Sequence, residues 1–227
     1  MKLFESKLLS KKNLTKRTLW LSFNKPEGFV FKSGQFLSLK IPTLKVKPWR
    51  SYSILNTNSD ESLEFLIGLN PNSESSKYLK TLKVGDEVVL RGPFGKFIFN
   101  EKKDVKEFWF ICTGTGLAPL LSMIKNHLPK IKNKNFVLLF GNNTKEDLYF
   151  FKELKRLEEA FSNFVYLPSL TREEWIGLKG RVYNHLPKNV SGKSFYICGN
   201  KNMIMDTKNK LVSLKVSEDN IFFESYT

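Results

Sequence analysis

The pattern of apolar residues changes near residue 100, and this change constrains the fold more than any other feature of the sequence. Before it, short segments alternate polar and apolar residues, as strands with one buried face do. Turn-forming residues separate these segments, and one short helix is predicted at residues 75–82. The predicted strands cover residues 16–23, 35–41, 50–55, 63–69 and 86–91. Short strands with regular turns predict a small antiparallel barrel over residues 1–100.

After the charged segment 100–104, strands and helices alternate. Residues 108–113 are almost continuously apolar, which is typical of a strand buried on both faces of a parallel sheet. The remaining predicted elements are strands at 136–140, near Val165, at 194–198 and at 221–223, and helices at 118–127, 146–161 and 202–214. This alternation predicts a parallel α/β domain over residues 105–227, so the chain is expected to have two domains.

The net charge of +15 is the strongest feature of the composition. A field of this sign attracts nucleic acid, anionic lipid or an acidic protein. A general preference for Lys accounts equally well for much of the excess. The Lys residues are scattered, and no basic stripe with interleaved aromatic residues or nucleic-acid-binding motif is present. Nucleic acid is therefore not an expected partner.

The two cysteines, Cys112 and Cys198, are too few for a disulfide scaffold or a cluster with four thiolate ligands. No metal site is predicted. No apolar run reaches the roughly 18 residues that a membrane span needs. The charged start of the chain lacks the apolar stretch of a signal peptide. The sequence predicts a cytoplasmic protein without a membrane span, and a monomer is the expected state.

Residues 111–119 combine a buried strand, two glycines and the start of a helix. Gly114 and Gly116 permit a tight turn and let backbone N–H groups approach a pyrophosphate at the positive end of the helix. Pro119 suits the first turn of that helix, because no amide hydrogen is needed there. A glycine-containing turn of this kind is often only a turn, so nucleotide binding needs further support.

A second strand also ends in a glycine, at Cys198 and Gly199. Ligands of open α/β sheets gather at the carboxyl ends of the strands, so this turn and the Gly114 turn would face one crevice. Cys198 could equally be a small buried hydrophobic residue.

The segment from Arg50 to Ser53 places a cation, an aromatic ring and hydroxyl groups on one predicted strand. Because strand side chains alternate, Arg50 and Tyr52 share a face. An Arg fork suits a phosphate, and a Tyr ring suits stacking on a flat heterocycle. An ordinary surface strand is the alternative for this segment taken alone.

In combination, four motifs resemble the ferredoxin–NADP reductase superfamily over nearly the whole chain. They are Arg50-Ser51-Tyr52-Ser53, Gly114-Thr115-Gly116-Leu117-Ala118-Pro119, Cys198-Gly199 and Phe223-Glu224-Ser225-Tyr226, in the family's order. Residues 92–97, at the end of the barrel, are similar too. The resemblance implies a six-stranded antiparallel β-barrel that binds FAD, followed by an α/β domain that binds NADP(H).

The resemblance also implies roles for residues of the first domain. Arg50 would pair with the FAD pyrophosphate, Tyr52 would pack on the isoalloxazine, and Ser53 would hydrogen-bond near its reactive N5 edge. Ser76 matches a second phosphate-binding position, unless it is only a helix N-cap. The FAD-binding candidates are Arg50, Ser51, Tyr52, Ser53, Gly68, Ser75 and Ser76.

In the second domain the resemblance places the Gly114 turn, with Thr115, under the NADP(H) pyrophosphate. Cys198 and Gly199 would lie beside the nicotinamide, with Cys198 shaping its approach and not acting as a covalent nucleophile. Glu224 would tune the flavin or relay a proton, so the catalytic candidates are Ser53, Cys198 and Glu224. Some members end in an aromatic ring that stacks on the flavin. Whether Tyr226 does so is open, because Thr227 follows it.

NADPH differs from NADH by a 2′-phosphate, which favours cationic partners. Thr171-Arg172-Glu173 resembles the Ser-Arg-Glu of NADP-specific bacterial members, and Arg181 matches a second cationic position. Asn143 stands where many members carry Arg. Two matching cations favour NADPH, although Arg172 and Arg181 could also be ordinary surface charges.

The implied activity is hydride exchange between nicotinamide C4 and flavin N5, with single electrons passed to a separate carrier. An acidic ferredoxin or flavodoxin fits the basic chain. Alternatives within the superfamily are the reductase component of an oxygenase and a free flavin reductase. The non-enzyme alternatives are a basic nucleic-acid-binding protein and a non-catalytic nucleotide-binding regulator.

Overall fold

The computed structural model describes residues 2–226, and Met1 and Thr227 lie outside the described residues. The first half of the chain forms an antiparallel sheet of six strands. Its strands are β1 (Lys2–Thr15), β2 (Thr18–Asn24), β3 (Phe36–Lys40), β4 (Trp49–Ser53), β5 (Ser62–Gly68) and β6 (Glu87–Phe94). They lie in the order β4-β3-β6-β1-β2-β5, and a bridge between Ile54 and Phe65 links the two edges into a barrel. Helix α1 (Glu74–Thr81) follows β5.

Strand β1 was not predicted from the sequence, and its burial explains why. Only Ser6, Leu8 and Thr15 are buried along its length, while Leu3 and Leu9 are exposed. Its first part pairs with β6 and its second part with β2. A strand that changes partners in this way does not keep the strict alternation that identifies a strand with one buried face.

The second half forms a parallel sheet with helices packed against it, which confirms the predicted α/β class. The strands are β7 (Glu107–Thr113), β8 (Asn135–Asn142), β9 (Phe164–Leu170), β10 (Leu178–Lys179), β11 (Lys193–Asn200) and β12 (Ile221–Tyr226). Their order is β10-β9-β8-β7-β11-β12. The helices are α2 (Leu117–His127), α3 (Phe151–Ala160) and α4 (Lys201–Ser213).

One predicted helix is too long at its start. The sequence predicts helix over residues 146–161, but α3 begins only at Phe151. Residues 145–147 form a separate 3-10 turn, and Phe150 has a left-handed φ of 63° that interrupts the helical backbone. The apolar periodicity continues through this break, so the pattern alone did not reveal it.

The two halves share a core. Leu55 and Leu66 of the barrel belong to the same buried cluster as the apolar residues of β7 and α2. Phe99 stacks on His127 with ring centroids 4.3 Å apart. Across the same interface the buried Ser122 hydroxyl donates to the Asn56 carbonyl oxygen at 2.6 Å. These contacts fix the crevice between the halves. Between residues 2 and 226, no helix has both the length and the apolar character to cross a membrane.

Candidate active site

The glycine turn after β7 lies at the carboxyl edge of the parallel sheet. Residues Gly114–Gly116 form a 3-10 turn that leads directly into α2. A Cβ on Gly116 would lie 2.2 Å from the Cys198 carbonyl oxygen, so the turn packs too closely on β11 for any side chain. A Cβ on Gly114 would meet nothing within 4 Å, and its φ is 53°. The turn therefore presents open backbone at the start of a helix, where anions bind.

The neighbouring turn, at the end of β11, also leaves no room for a side chain. A Cβ on Gly199 would lie 2.6 Å from the Thr113 hydroxyl oxygen. Asn200, for which the sequence predicts no role, caps α4 because its side chain accepts the Met203 backbone N–H at 2.9 Å. Burial raises the pKa of the Cys198 thiol to about 12. The thiol stays protonated at neutral pH, which fits a residue that shapes the crevice better than a nucleophile.

Groups from distant parts of the chain meet where the barrel faces this edge, and we call them the junction cluster: the side chains of Ser53, Glu224 and Tyr226 and the carbonyl oxygen of Thr115. The Tyr226 hydroxyl lies 3.1 Å from Ser53 Oγ and 3.5 Å from the Thr115 carbonyl oxygen. Ser53 Oγ donates to Glu224 Oε2 at 3.4 Å. The cluster joins the end of β4, the glycine turn and the end of β12.

Burial controls the charge of the junction cluster. It raises the pKa of the Glu224 carboxyl, while the hydrogen bond from Ser53 partly opposes the rise. Burial also raises the pKa of the Tyr226 hydroxyl well above its usual range. The cluster is therefore a set of neutral hydroxyl groups around one carboxyl that holds its proton more readily than an exposed glutamate.

A second group lies on the barrel beside β4. Tyr52 is half-buried, and burial raises its pKa to about 12, with the nearby Arg50 and Ser75 side chains opposing the rise. Arg50 is held in place because its Nη1 donates to the carbonyl oxygens of Lys47 at 2.8 Å and Trp49 at 3.0 Å. The structure thus brings Arg50, Tyr52 and Ser75 together. Ser51 alternates to the other face of β4, where its hydroxyl lies 3.4 Å from that of Ser38.

The start of α1 excludes the alternative that Ser76 is a helix N-cap. Its N-cap is Ser73, so Ser76 is the third residue of the helix and is not an N-cap. The Ser76 hydroxyl accepts the Asn70 backbone N–H at 3.0 Å, and the Ser73 and Ser75 hydroxyls lie 2.6 Å apart. These bonds hold the preceding loop against the first turn of the helix.

Gly68, at the end of β5, faces the glycine turn. A Cβ on it would lie 3.7 Å from the side chain of Thr115. Gly68 is exposed, so this end of the barrel opens towards the crevice.

Comparison with known proteins identifies two domain types along the chain. Residues 5–99 match the oxidoreductase FAD-binding domain, and residues 110–209 match the oxidoreductase NAD-binding domain. The crystal structure of a ferredoxin NADP+ reductase from Neisseria gonorrhoeae with bound FAD and NADP superposes with a TM-score of 0.88 at 26% identity, and the match covers 99% of both chains. The chain belongs to the ferredoxin–NADP reductase superfamily.

Its relatives in this superfamily serve different electron acceptors. The chain is 35% identical over 203 residues to the anthranilate 1,2-dioxygenase electron transfer component of Acinetobacter baylyi, which covers 86% of this chain and 58% of that protein. It is 29% identical over 192 residues to the flavodoxin/ferredoxin–NADP reductase of Shigella flexneri, covering 78% and 77%. The chain thus spans somewhat more than half the length of the dioxygenase component.

The two matched domain types bind FAD and a pyridine nucleotide. The side chains and the backbone described above fit these two ligands. On the barrel, the cation of Arg50, the ring of Tyr52 and the hydroxyls at the start of α1 suit a pyrophosphate and a flat heterocycle. Across the crevice, the open backbone at Gly114 suits a second pyrophosphate.

The residues predicted to contact a 2′-phosphate lie near the β10 edge of the parallel sheet. Thr171 and Arg172 follow β9, and Arg181 follows β10. Both arginines are exposed. Asn143 ties the loops after β8 and β9 together, because its carbonyl oxygen accepts the Arg172 backbone N–H at 2.9 Å and its side chain accepts the Thr171 hydroxyl at 3.0 Å.

Proposed function

We propose that this chain moves electrons between NADPH and a separate, acidic one-electron carrier of the ferredoxin or flavodoxin type. The observation that supports this most directly is the junction cluster. It joins the end of the barrel strand β4 to the glycine turn of the nucleotide-binding sheet, with Ser53 and Thr115 both in contact with Tyr226. A flavin and a nicotinamide held by the two domains would meet at this position.

Each residue of the site has a definable task in this proposal. Arg50 and Ser76 would hold the FAD pyrophosphate, Tyr52 would pack on the ring system, and Ser53 would donate a hydrogen bond to its reactive edge. When bound, FAD would supply the redox chemistry, exchanging a hydride with nicotinamide and releasing single electrons.

The crevice residues would control access and protons. Glu224 retains its proton to a higher pH than an exposed glutamate does, so it can hold a proton beside Ser53. Tyr226 lies between Ser53 and Thr115, and its ring would have to leave this position for nicotinamide to reach the flavin. Cys198 and Gly199 would limit where the nicotinamide lies.

The choice of NADPH is supported by Arg172 and Arg181, which are exposed at the sheet edge and available to a phosphate. Replacing Arg172 by Ala should raise the KM for NADPH about tenfold while changing the KM for NADH little, because only NADPH loses a charge-assisted hydrogen bond. Steady-state kinetics with both nucleotides measure this. Arg156→Ala, which removes an exposed charge on α3, is the matched control. Equal changes for both nucleotides in Arg172→Ala would remove this residue from the 2′-phosphate site.

An acidic partner is supported by the net charge of +15. Electron transfer to a ferredoxin should slow steeply as salt rises through roughly 0.1–0.5 M, because screening shortens the reach of the field. Stopped-flow measurements give the rate, and a neutral quinone acceptor provides the control with little salt dependence. A rate to ferredoxin that ignores salt would contradict charge-steered docking.

The reductase component of an oxygenase is the second candidate, favoured by the 35% identity to the anthranilate 1,2-dioxygenase component. An assay of NADPH against NADH oxidation with ferredoxin, flavodoxin and free flavin as acceptors separates the candidates. NADPH oxidation coupled to ferredoxin or flavodoxin supports our proposal, whereas preference for NADH or for free flavin supports the alternatives. The monomeric state and the cytoplasmic location stay predictions.

A further inference from the structure

One ion pair links the two loops that lie beside the proposed 2′-phosphate site. The Glu173 carboxylate accepts the backbone N–H of Lys145 at 2.7 Å and lies 3.0 Å from the Lys145 ammonium. Glu173 is the residue next to Arg172, whose own backbone N–H donates to the Asn143 carbonyl oxygen at 2.9 Å. Lys145 therefore lies at the same edge of the sheet as Arg172, although the two are far apart in sequence.

In this pair the Glu173 carboxylate is an anion that is held by the backbone N–H and the ammonium of Lys145. The backbone N–H and then the ammonium of Lys145 lower the pKa of Glu173, so the carboxylate is ionised at neutral pH. The pair is open to solvent, with the Lys145 side chain 57% and the Glu173 side chain 35% exposed. An ion pair in such contact with water is weak and can exchange partners.

We propose that Lys145 is a specificity-determining residue for the 2′-phosphate of NADPH, and that Glu173 occupies its ammonium until the nucleotide binds. The proposal rests on NADPH being the nucleotide used. A phosphate carries more negative charge and more acceptor oxygens than one carboxylate, so it competes for the ammonium. Lys145 would then supply a cation in the loop that also contains the uncharged Asn143.

The probes that isolate this contact are adenosine 2′,5′-bisphosphate and 5′-AMP, which differ only in the 2′-phosphate. Isothermal titration calorimetry measures their binding without any turnover. Lys145→Ala should weaken binding of the bisphosphate by roughly threefold to tenfold, because a partly exposed charged contact is lost. Binding of 5′-AMP should change less than about twofold.

Replacing Lys145 and replacing Glu173 should change the affinity for the bisphosphate in opposite directions. Glu173→Gln removes a negative charge and frees the ammonium, so it should tighten binding of the bisphosphate by roughly twofold or more. Adding Lys145→Ala to that variant should remove the gain. If the pair only braces the two loops, both single variants weaken both ligands alike, and that result would overturn the proposal.

Lys152→Ala controls for the loss of one positive charge, because Lys152 is exposed on α3. It should leave the ratio of the two affinities unchanged. The wild-type ratio separates the two proposals. If the wild type binds both ligands equally, the choice of NADPH fails and this inference fails with it. If the wild type prefers the bisphosphate and Lys145→Ala keeps that preference, only the inference is overturned.

Discussion

The barrel and the parallel sheet offer their ligands different parts of the chain. On the barrel, the candidate contacts are side chains: the Arg50 guanidinium, the Tyr52 ring and the Ser53 hydroxyl. On the parallel sheet they are mostly backbone, at Gly114 and at Gly199. The antiparallel barrel can aim alternate side chains outward from one strand, whereas the parallel sheet ends in a row of tight turns where the backbone itself is exposed.

This difference predicts opposite sensitivities to mutation. Truncating a side chain should damage the barrel site, and adding one should damage the site on the parallel sheet.

Gly116→Ala adds a methyl group at the glycine turn after β7. Its Cβ would lie 2.2 Å from the Cys198 carbonyl oxygen and 2.9 Å from the Gly199 backbone nitrogen. Both are backbone atoms, which cannot rotate away from the methyl group as a side chain can. We expect the free energy of unfolding to fall by about 1–3 kcal/mol, as for overpacked sites, with weaker binding of NADP+. Urea unfolding and nucleotide titration measure both.

Gly68→Ala is the matched control on the barrel. Its Cβ would be 3.7 Å from Thr115, an ordinary contact, so the free energy of unfolding should change by no more than about 1 kcal/mol. Equal losses in the two glycine variants would break the comparison, because the sheet would then be no more sensitive to an added side chain than the barrel.

Tyr52→Ala truncates the aromatic ring of the barrel site. The dissociation constant for FAD should rise about tenfold, because the ring no longer packs on the ligand. Tyr52→Phe keeps the ring and should change FAD binding much less. Fluorescence titration of the flavin-free protein with FAD gives the constants, and unchanged affinity in the Ala variant would take Tyr52 out of the site.

Glu224→Gln tests the junction cluster, where the two regions meet. Burial raises the pKa of this carboxyl in the folded chain, so folding favours its protonated form. The stability that this gives is complete below the ordinary pKa near 4.5 and is lost as the pH rises through the higher folded value.

The free energy of unfolding of the Gln variant should therefore increase relative to that of the wild type as the pH rises above about 4.5. Denaturant unfolding at several pH values measures the difference. The exposed Glu218→Gln is the control. A difference that stays constant with pH would mean that folding does not shift the pKa of Glu224, and one that shrinks as the pH rises would mean that folding lowers it; either result would contradict the burial of this carboxyl.

Much of the fold follows from local sequence patterns. The strand pattern around Leu19 and Leu21 and the apolar run from Phe108 to Ile111 predict elements that the structure contains. Two of the elements that the patterns missed or misplaced are β1, which pairs with two different strands, and the start of α3, where Phe150 leaves the helical conformation.

The candidate site likewise contains parts that local sequence patterns predict and parts that they do not. The glycine turn and the Arg50–Ser53 motif are contiguous in the sequence, so each can be identified from its own residues. The junction cluster cannot, because Tyr226 and Ser53 are 173 residues apart. The same holds for the pair of Lys145 and Glu173, for which the sequence offers only two charges 28 positions apart.

The amino-acid sequence alone predicts the class of each domain, the location of the glycine turn and the residue types proposed to bind a flavin. These depend on side-chain periodicity and on the conformational freedom of glycine, both of which are local properties. Which groups meet is visible only in the folded chain: Tyr226 contacts Ser53, Ser75 contacts Tyr52, and Lys145 contacts Glu173. Those contacts result from packing the barrel against the sheet and from aligning neighbouring strands, and long-range contacts of this kind leave no periodic signal in the chain.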